Sequence, residues 1–200
     1  MKILIGVPCM ESLPVDYVTS MLQLRKPNGT NIIHQSLSLV YVAREMIAEH
    51  ALKNNYDYVF FVDSDMVLPA DTLEKLLQAD KDIISGLAFQ RKPPFSPCVY
   101  SKLKLGEPGT DSVVNLTEFA NKVEEVEGIG LACALIKTEV FRSIYKENMP
   151  CFTPIMGYGE DLSFCLRARK LGYKVYADTS AKVGHIGTTI YGEEHWRAQL

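Results

Sequence analysis

Two aspartates flank a serine at Asp63-Ser64-Asp65, directly after the apolar run Val59-Phe60-Phe61-Val62. Side chains two apart on an extended chain point to the same side, so both carboxylates are expected to face one crevice, with Ser64 turned away. Paired carboxylates repel each other unless a cation sits between them. Hard oxygen donors suit Mg²⁺ or Mn²⁺, which would in turn hold phosphate oxygens. The structural alternative is an acidic turn with Asp65 simply solvated. A second acidic pair, Glu160-Asp161, follows Gly159 at the start of a helical pattern. First-turn carboxylates are stabilised by the helix dipole, and capping alone accounts for one of them. The flanking Tyr158-Gly159 and Leu162-Ser163-Phe164 fit a packed site where a carboxylate takes a proton from a substrate hydroxyl. The third feature is Gly184-His185-Ile186-Gly187. A lone histidine is more often structural than a ligand, but two glycines let the backbone approach something closely. If His185 faces Asp65, an imidazole joins the oxygen donors and favours Mn²⁺ over Mg²⁺.

These residues need a scaffold, and the first two-fifths of the chain alternates strand and helix. Lys2 to Val7 reads as a buried strand stopped by Pro8. Val15 to Leu24 has helical apolar spacing. Pro27-Asn28-Gly29 is a turn before a short strand at Asn31–His34. Leu39 to Leu52 forms a mostly buried helix, and Asp57 to Val62 is the clearest strand, apolar on both faces as a central parallel strand would be. Asp71 with Glu74 opens the next helix in capping-box fashion, and Asp82 to Phe89 returns as a strand. Strand–helix–strand repeated in this way predicts a parallel sheet covered by helices, with ligands at the carboxyl ends of its strands.

After Phe89 the pattern loosens. Arg91-Lys92-Pro93-Pro94 is a loop, and 97–127 offers short strand candidates around turns such as Glu107-Pro108-Gly109. Lys122–Glu127 suits a half-exposed strand. Gly128-Ile129-Gly130 leads into an apolar strand at Leu131–Ile136 and a helix at Thr138–Tyr145. Gly159–Leu171 is another helix, and Tyr173–Ala177 and Lys182–His185 are the last strands. No repeat, linker or low-complexity tract divides the chain, so one domain is expected over 1–200. Its nucleotide-binding half covers about 1–92 and its acceptor and catalytic half about 93–187, followed by a short tail.

Composition removes several function classes. The chain has 200 residues, 21 Lys+Arg against 24 Asp+Glu, a net charge of −3, 47% hydrophobic and 22% charged residues. That balance argues against nucleic-acid binding or a polybasic membrane tether, which need an excess of positive charge, and against disorder. Gly6 and Pro8 interrupt the opening apolar run too early for a signal peptide. No apolar run reaches the roughly 20 residues of a membrane-spanning helix. Five scattered cysteines without a Cys-x-x-Cys pair suit free thiols, hence a cytoplasmic location. The sequons at Asn28 and Asn115 are then without consequence.

Taken in order, Ala43-Arg44, Val62-Asp63-Ser64-Asp65, Gly159-Glu160-Asp161 and Gly184-His185-Ile186-Gly187 resemble the motifs of metal-dependent, nucleotide-sugar glycosyltransferases of the GT-A fold, in particular the family-two-like group. The resemblance runs from Lys2 to about Gly187. It implies a mostly parallel, Rossmann-like central sheet flanked by helices. It also implies that Pro8, Cys9 and Met10 line the nucleobase and that Arg44 points to the base or pyrophosphate. Asp63 corresponds to the acid near the ribose and metal-bound water, Asp65 to the direct metal ligand and His185 to a further one, so that Mn²⁺ or Mg²⁺ is held by Asp63, Asp65 and His185. Ser64, Arg91 and Gly130 complete the nucleotide-sugar set, with a solvated basic loop as the plainer reading of Arg91 and Lys92. Gly128 and Gly130 match a glycine pair that allows close approach. Asp161, with Glu160, corresponds to the catalytic acid pair, Asp161 serving as base in inverting members.

The chain departs from the pattern at Cys9, where relatives often have a small hydroxyl residue, and at Glu45, where asparagine is common. It lacks the Gln-x-x-Arg-Trp of processive synthases. The expectation is therefore single transfer of a sugar from a UDP- or GDP-sugar to a hydroxyl acceptor, with inversion preferred over retention. Acceptor recognition would fall to loops, a partner chain or a homo-oligomer. Two alternatives stay open: a non-catalytic nucleotide-sugar-binding module, and a nucleotidyltransferase. The latter would need a glycine-rich basic loop where this chain has Val7-Pro8-Cys9-Met10-Glu11-Ser12.

Overall fold

A computed structural model describes residues 1–36, 38–105 and 112–198; the turn expected at Glu107-Pro108-Gly109 lies outside them. The order of elements begins β1 (Ile3–Cys9), α1 (Val15–Gln23), β2 (Thr30–Ser36), α2 (Val40–Lys53), β3 (Tyr58–Val62), β4 (Met66–Val67), α3 (Thr72–Gln78) and β5 (Ile83–Leu87). It continues with β6 (Val99–Leu103), β7 (Val113–Asn115), β8 (Val123–Val126), β9 (Gly128–Ile129), β10 (Cys133–Lys137) and α4 (Thr138–Lys146). The last elements are α5 (Glu160–Lys170), β11 (Val175–Lys182), β12 (Gly184–Ile186), β13 (Ile190–Tyr191) and α6 (Glu193–Arg197).

Seven strands form the central sheet in the order β2-β1-β3-β10-β5-β11-β8. β1 pairs parallel with both β2 and β3, and β5 parallel with β11. β10 is inserted antiparallel between β3 and β5, and β8 is an antiparallel edge. The sheet is thus mixed α/β with a predominantly parallel direction, as the early alternation of elements predicts. The reversed β10 is the departure. Its run Cys133-Ala134-Leu135-Ile136 is buried on both faces, and a strand covered on both sides reads as continuously apolar whichever way it runs.

Alternate side chains of the strands feed two cores, one on each face. Leu4, Val59, Phe61, Ala134 and Ile136 join α2, α4 and α5 through Ile47, Phe141 and Phe164. Ile3, Ile5, Phe60, Val62 and Leu135 join α1 and α3 through Tyr17, Met21, Leu73 and Leu76. Gly6 lets α2 press onto β1, because a Cβ there would lie 2.3 Å from Cγ2 of Ile47. Phe61, Phe141, Phe152 and Phe164 form an aromatic stack under α2 and α5, with ring centroids 5.4 Å apart for Phe61–Phe152 and 5.3 Å for Phe152–Phe164.

Two expectations change in detail. Asp71 precedes α3 without a side-chain cap bond and instead pairs with Lys75 at 3.1 Å on the next turn. The two strands expected near the end become a longer β11 with an irregular register between Asp178 and Lys182. It is followed by β12, which leaves the central sheet for a small one ordered β13-β12-β4. No helix among the described residues is long and apolar enough to cross a membrane.

Candidate functional site

The extended geometry expected for Asp63-Ser64-Asp65 does not hold. β3 ends at Val62, the Asp63 N–H donates to Ala132 O at 3.0 Å, and the Met66 N–H donates back to Asp63 O at 3.1 Å, so the triplet is a turn. Ser64 therefore faces the same cleft as its neighbours rather than pointing away. This cleft, of ≈ 210 Å³, lies at the carboxyl ends of β1 and β3 and is lined by Pro8, Cys9 and Met10 on one side and Asp63, Ser64 and Asp65 on the other. Burial pushes the Cys9 thiol above its ordinary pKa, which keeps it protonated at neutral pH.

The turn sends the two carboxylates to different partners. Asp63 Oδ1 accepts from Arg44 Nη2 at 2.8 Å, and Arg44 Nε lies 3.3 Å from Glu160 Oε1. Arg44 is only 2% exposed. It also donates to Leu131 O at 3.3 Å and lies over the Phe61 ring at 5.3 Å. In this structure its donors are used inside the protein, where it ties the end of β3 to the start of α5. Burial works against the guanidinium charge, but Asp63, Glu160 and Asp161 outweigh it and keep Arg44 cationic.

Asp65 turns to the small sheet. β4 and β12 pair His185 with Met66, and the Ile186 N–H donates to Asp65 O at 2.7 Å. His185 Nε2 thereby lies 3.3 Å from Asp65 Oδ2, and Arg91 Nη1 is 3.1 Å from the same oxygen. His185 Nδ1 is 2.7 Å from Phe89 O. Since a carbonyl only accepts, Nδ1 carries a proton and Nε2 is the atom aimed at the carboxylate. Burial disfavours both charges, yet the pairing wins. Asp65 is held below the usual carboxylate range and His185 above the usual imidazole range. The glycines around His185 serve chain neighbours: a Cβ at Gly184 would meet Ile190 and one at Gly187 would meet Tyr191.

A metal site would take its donors from this group. Among the described residues no cluster of three His, Cys, Asp or Glu is disposed to hold a metal ion, and Asp63, already held by Arg44, does not join Asp65 and His185. Of the three expected ligands, Asp65 and His185 come together: one carboxylate oxygen and one imidazole nitrogen converge, and the second imidazole nitrogen is held by a carbonyl.

Asp161 sits in the first turn of α5, where Oδ1 accepts from the Leu162 N–H at 2.7 Å. Burial and the neighbouring Glu160 carboxylate raise its pKa to about 6, against the weaker pull of that N–H and of Arg44. Gly130 has no room for a side chain: a Cβ there would lie 2.9 Å from Cβ of Cys98 and 3.9 Å from Oδ2 of Asp161. Gly128 instead clears Leu103 and Leu162 in the core. Gly130, Cys98 and Asp161 are thus one neighbourhood, facing the Arg44 cluster.

Two contributors escape sequence reading. Ser38 Oγ is buried without a hydrogen-bond partner among the described residues and lines the first cleft, beside Gln35. Glu45 accepts from Tyr145 Oη at 2.5 Å, from the Cys151 N–H at 2.8 Å and from the Phe152 N–H at 2.9 Å. It anchors the segment that leads to α5. The only signal was its departure from asparagine.

No family model and no curated protein matches this chain. Among solved structures, the crystal structure of A197 from STIV is similar, with a TM-score of 0.67 over 94% of this chain and 86% of that one at 23% identity. At that identity the likeness speaks for the fold, a mixed α/β architecture with its central sheet flanked by helices, and not for an activity.

Proposed function

We propose that the protein is a metal-dependent glycosyltransferase of GT-A type that moves one sugar from a nucleoside-diphosphate sugar, UDP- or GDP-linked, to a hydroxyl acceptor. The observation that carries this reading is the convergence at the carboxyl end of β3. Asp65 meets His185 there, while Arg44 links Asp63 to Glu160, next to a buried carboxyl at Asp161 whose pKa is raised to about 6. Open α/β sheets bind ligands at this end of their strands.

Pro8, Cys9 and Met10 form the wall for the base, with Gln35 and Ser38 offering polar atoms to its edge. Asp65 and His185 would hold Mn²⁺, or Mg²⁺, which when bound supplies positive charge to the departing diphosphate. Arg44 holds Asp63 and Glu160 in place from below. Asp161 accepts the acceptor's hydroxyl proton as the acceptor oxygen bonds to the anomeric carbon. The bond from that carbon to the diphosphate breaks, and its electron pair leaves with the diphosphate. A base with a pKa of about 6 is ionised at neutral pH yet still basic enough for the task. With Asp161 as the base, the transfer inverts the anomeric configuration.

The test is release of nucleoside diphosphate from UDP- and GDP-sugars with Mn²⁺, with and without hydroxyl acceptors. Release from one donor class, lost in Asp65→Ala, supports the reading. Binding of the donor without release under any condition favours a non-catalytic nucleotide-sugar module instead.

A further inference from the structure

The Asp65–His185 pair borders two cavities. Asp65 lines the cleft described above, and His185 lines a second cavity of ≈ 490 Å³, together with Arg91, Lys92, Cys98, Thr188 and Tyr191. Among the described residues no acidic side chain lines this second cavity. Lys92 is exposed and forms no ion pair among the described residues, and the single acid that Arg91 meets is Asp65, on the far side of the pair. Tyr191 gives the cavity an aromatic wall, fixed by stacking on Phe95 at 5.0 Å. Cys98 also lines the cavity and crowds Gly130, the glycine beside Asp161. The cavity therefore joins two cations to a residue next to the neighbourhood of the carboxyl assigned as base.

Resting on the glycosyltransferase reading, we propose that this second cavity is the acceptor site and that the acceptor carries a phosphate monoester, gripped by Arg91 and Lys92 while its body lies against Tyr191. Two adjacent cations with no acid between them match a dianion. The guanidinium of Arg91 suits phosphate oxygens through paired N–H donors, and Lys92 adds a point charge. A neutral polyol would leave Lys92 without a partner and gain only the ring contact. Arg91 spends Nη1 on Asp65 and on Ile186 O, and its Nε and Nη2 have no partner among the described residues, so they can meet the ligand.

Phenyl phosphate, benzoate and phenol serve as probes, titrated into the full chain while the amide signals of Gly187 and Thr188 are followed by NMR. UDP and GDP with Mn²⁺ are titrated in parallel. The expected order is phenyl phosphate binding most tightly, benzoate more weakly and phenol weakest. Lys92→Ala should weaken phenyl phosphate about tenfold, the loss of one charge-assisted contact. The same variant should change diphosphate binding by less than about twofold, as expected for a screened charge away from that site. Phenyl phosphate failing to bind, benzoate or phenol binding as tightly, or Lys92→Ala weakening the diphosphate as much as phenyl phosphate would each overturn the proposal. If phenyl phosphate binds as expected but no nucleotide does, the anion site stands and its assignment to an acceptor falls with the glycosyltransferase reading. If nucleotide sugars are cleaved and phenyl phosphate does not bind, only the phosphate-bearing acceptor falls.

Discussion

Nε2 of His185 lies 3.3 Å from Oδ2 of Asp65, and it is brought there by a two-residue ladder between β4 and β12 rather than by the central sheet. The small sheet is thus what brings an acidic turn and a distant histidine together as a pair.

Metal binding at this pair should release a proton. In the metal-free protein His185 holds its proton above the usual imidazole range, and a ligand nitrogen must give it up. Mn²⁺ titrations near pH 6.5, run in two buffers of different ionisation enthalpy, are expected to show proton release that falls away at higher pH. Stability follows the same logic. The raised His185 pKa contributes stability that is present below its unfolded value and lost as pH rises through the folded one. The lowered Asp65 pKa contributes stability that is present above its unfolded value and lost as pH falls through the folded one. The metal-free pair is therefore strongest in the window between them.

Asp161 should set the acid limb of the rate profile. With its pKa raised to about 6 in the ligand-free protein, kcat/KM is expected to rise through that pH and level off above it. Asp161→Asn should abolish transfer. The same substitution should raise the melting temperature more at pH 8, where the native carboxylate is ionised and buried, than at pH 5, where it is largely protonated. An equal effect at both pH values would remove the burial explanation.

Arg44 is expected to be structural first. Arg44→Met leaves Asp63 and Glu160 facing each other without their shared cation, at a cost of about 3 kcal/mol, the scale of breaking a buried pair. Urea denaturation measures it. Arg44→Lys keeps the charge but not three separately directed donors, and should recover only part of the loss.

Glu45→Ala removes the acceptor for Tyr145 Oη and for the Cys151 and Phe152 amides. A loss of about 2 kcal/mol is expected for buried donors left without partners, again read by urea denaturation. Glu45→Gln should recover part of it, because the amide keeps one acceptor oxygen.

Much of the architecture was legible because hydrophobic periodicity reports burial directly. The runs at Ile3–Val7, Tyr58–Val62 and Ile83–Leu87 are strands, and the helical spacing at 15–24, 39–52 and 159–171 is helical in the structure. Direction was not legible: β10 is as apolar as a parallel strand, and only its place between β3 and β5 makes it antiparallel. At the site, residue types marked Asp63, Asp65, Asp161 and His185, but side-chain partners depend on where the chain turns. The turn after Val62 sends Asp63 and Asp65 to different partners, and Arg44, buried on α2, spends its donors on Asp63, Glu160 and Leu131 O. Ser38 had no signal, and Glu45 only its departure from asparagine, since a carboxylate acquires its role from groups contributed by distant segments.

The central claim, a diphosphate held through a cation at Asp65 and His185, is tested most directly by thermal shift with UDP, GDP, CDP and dTDP, each with and without Mn²⁺, on the native chain and on Asp65→Ala. The account predicts that one diphosphate stabilises the native chain, that it does so only with Mn²⁺, and that the effect disappears in Asp65→Ala. Stabilisation that persists without Mn²⁺ or in Asp65→Ala, or the absence of any shift with all four nucleotides, would contradict it.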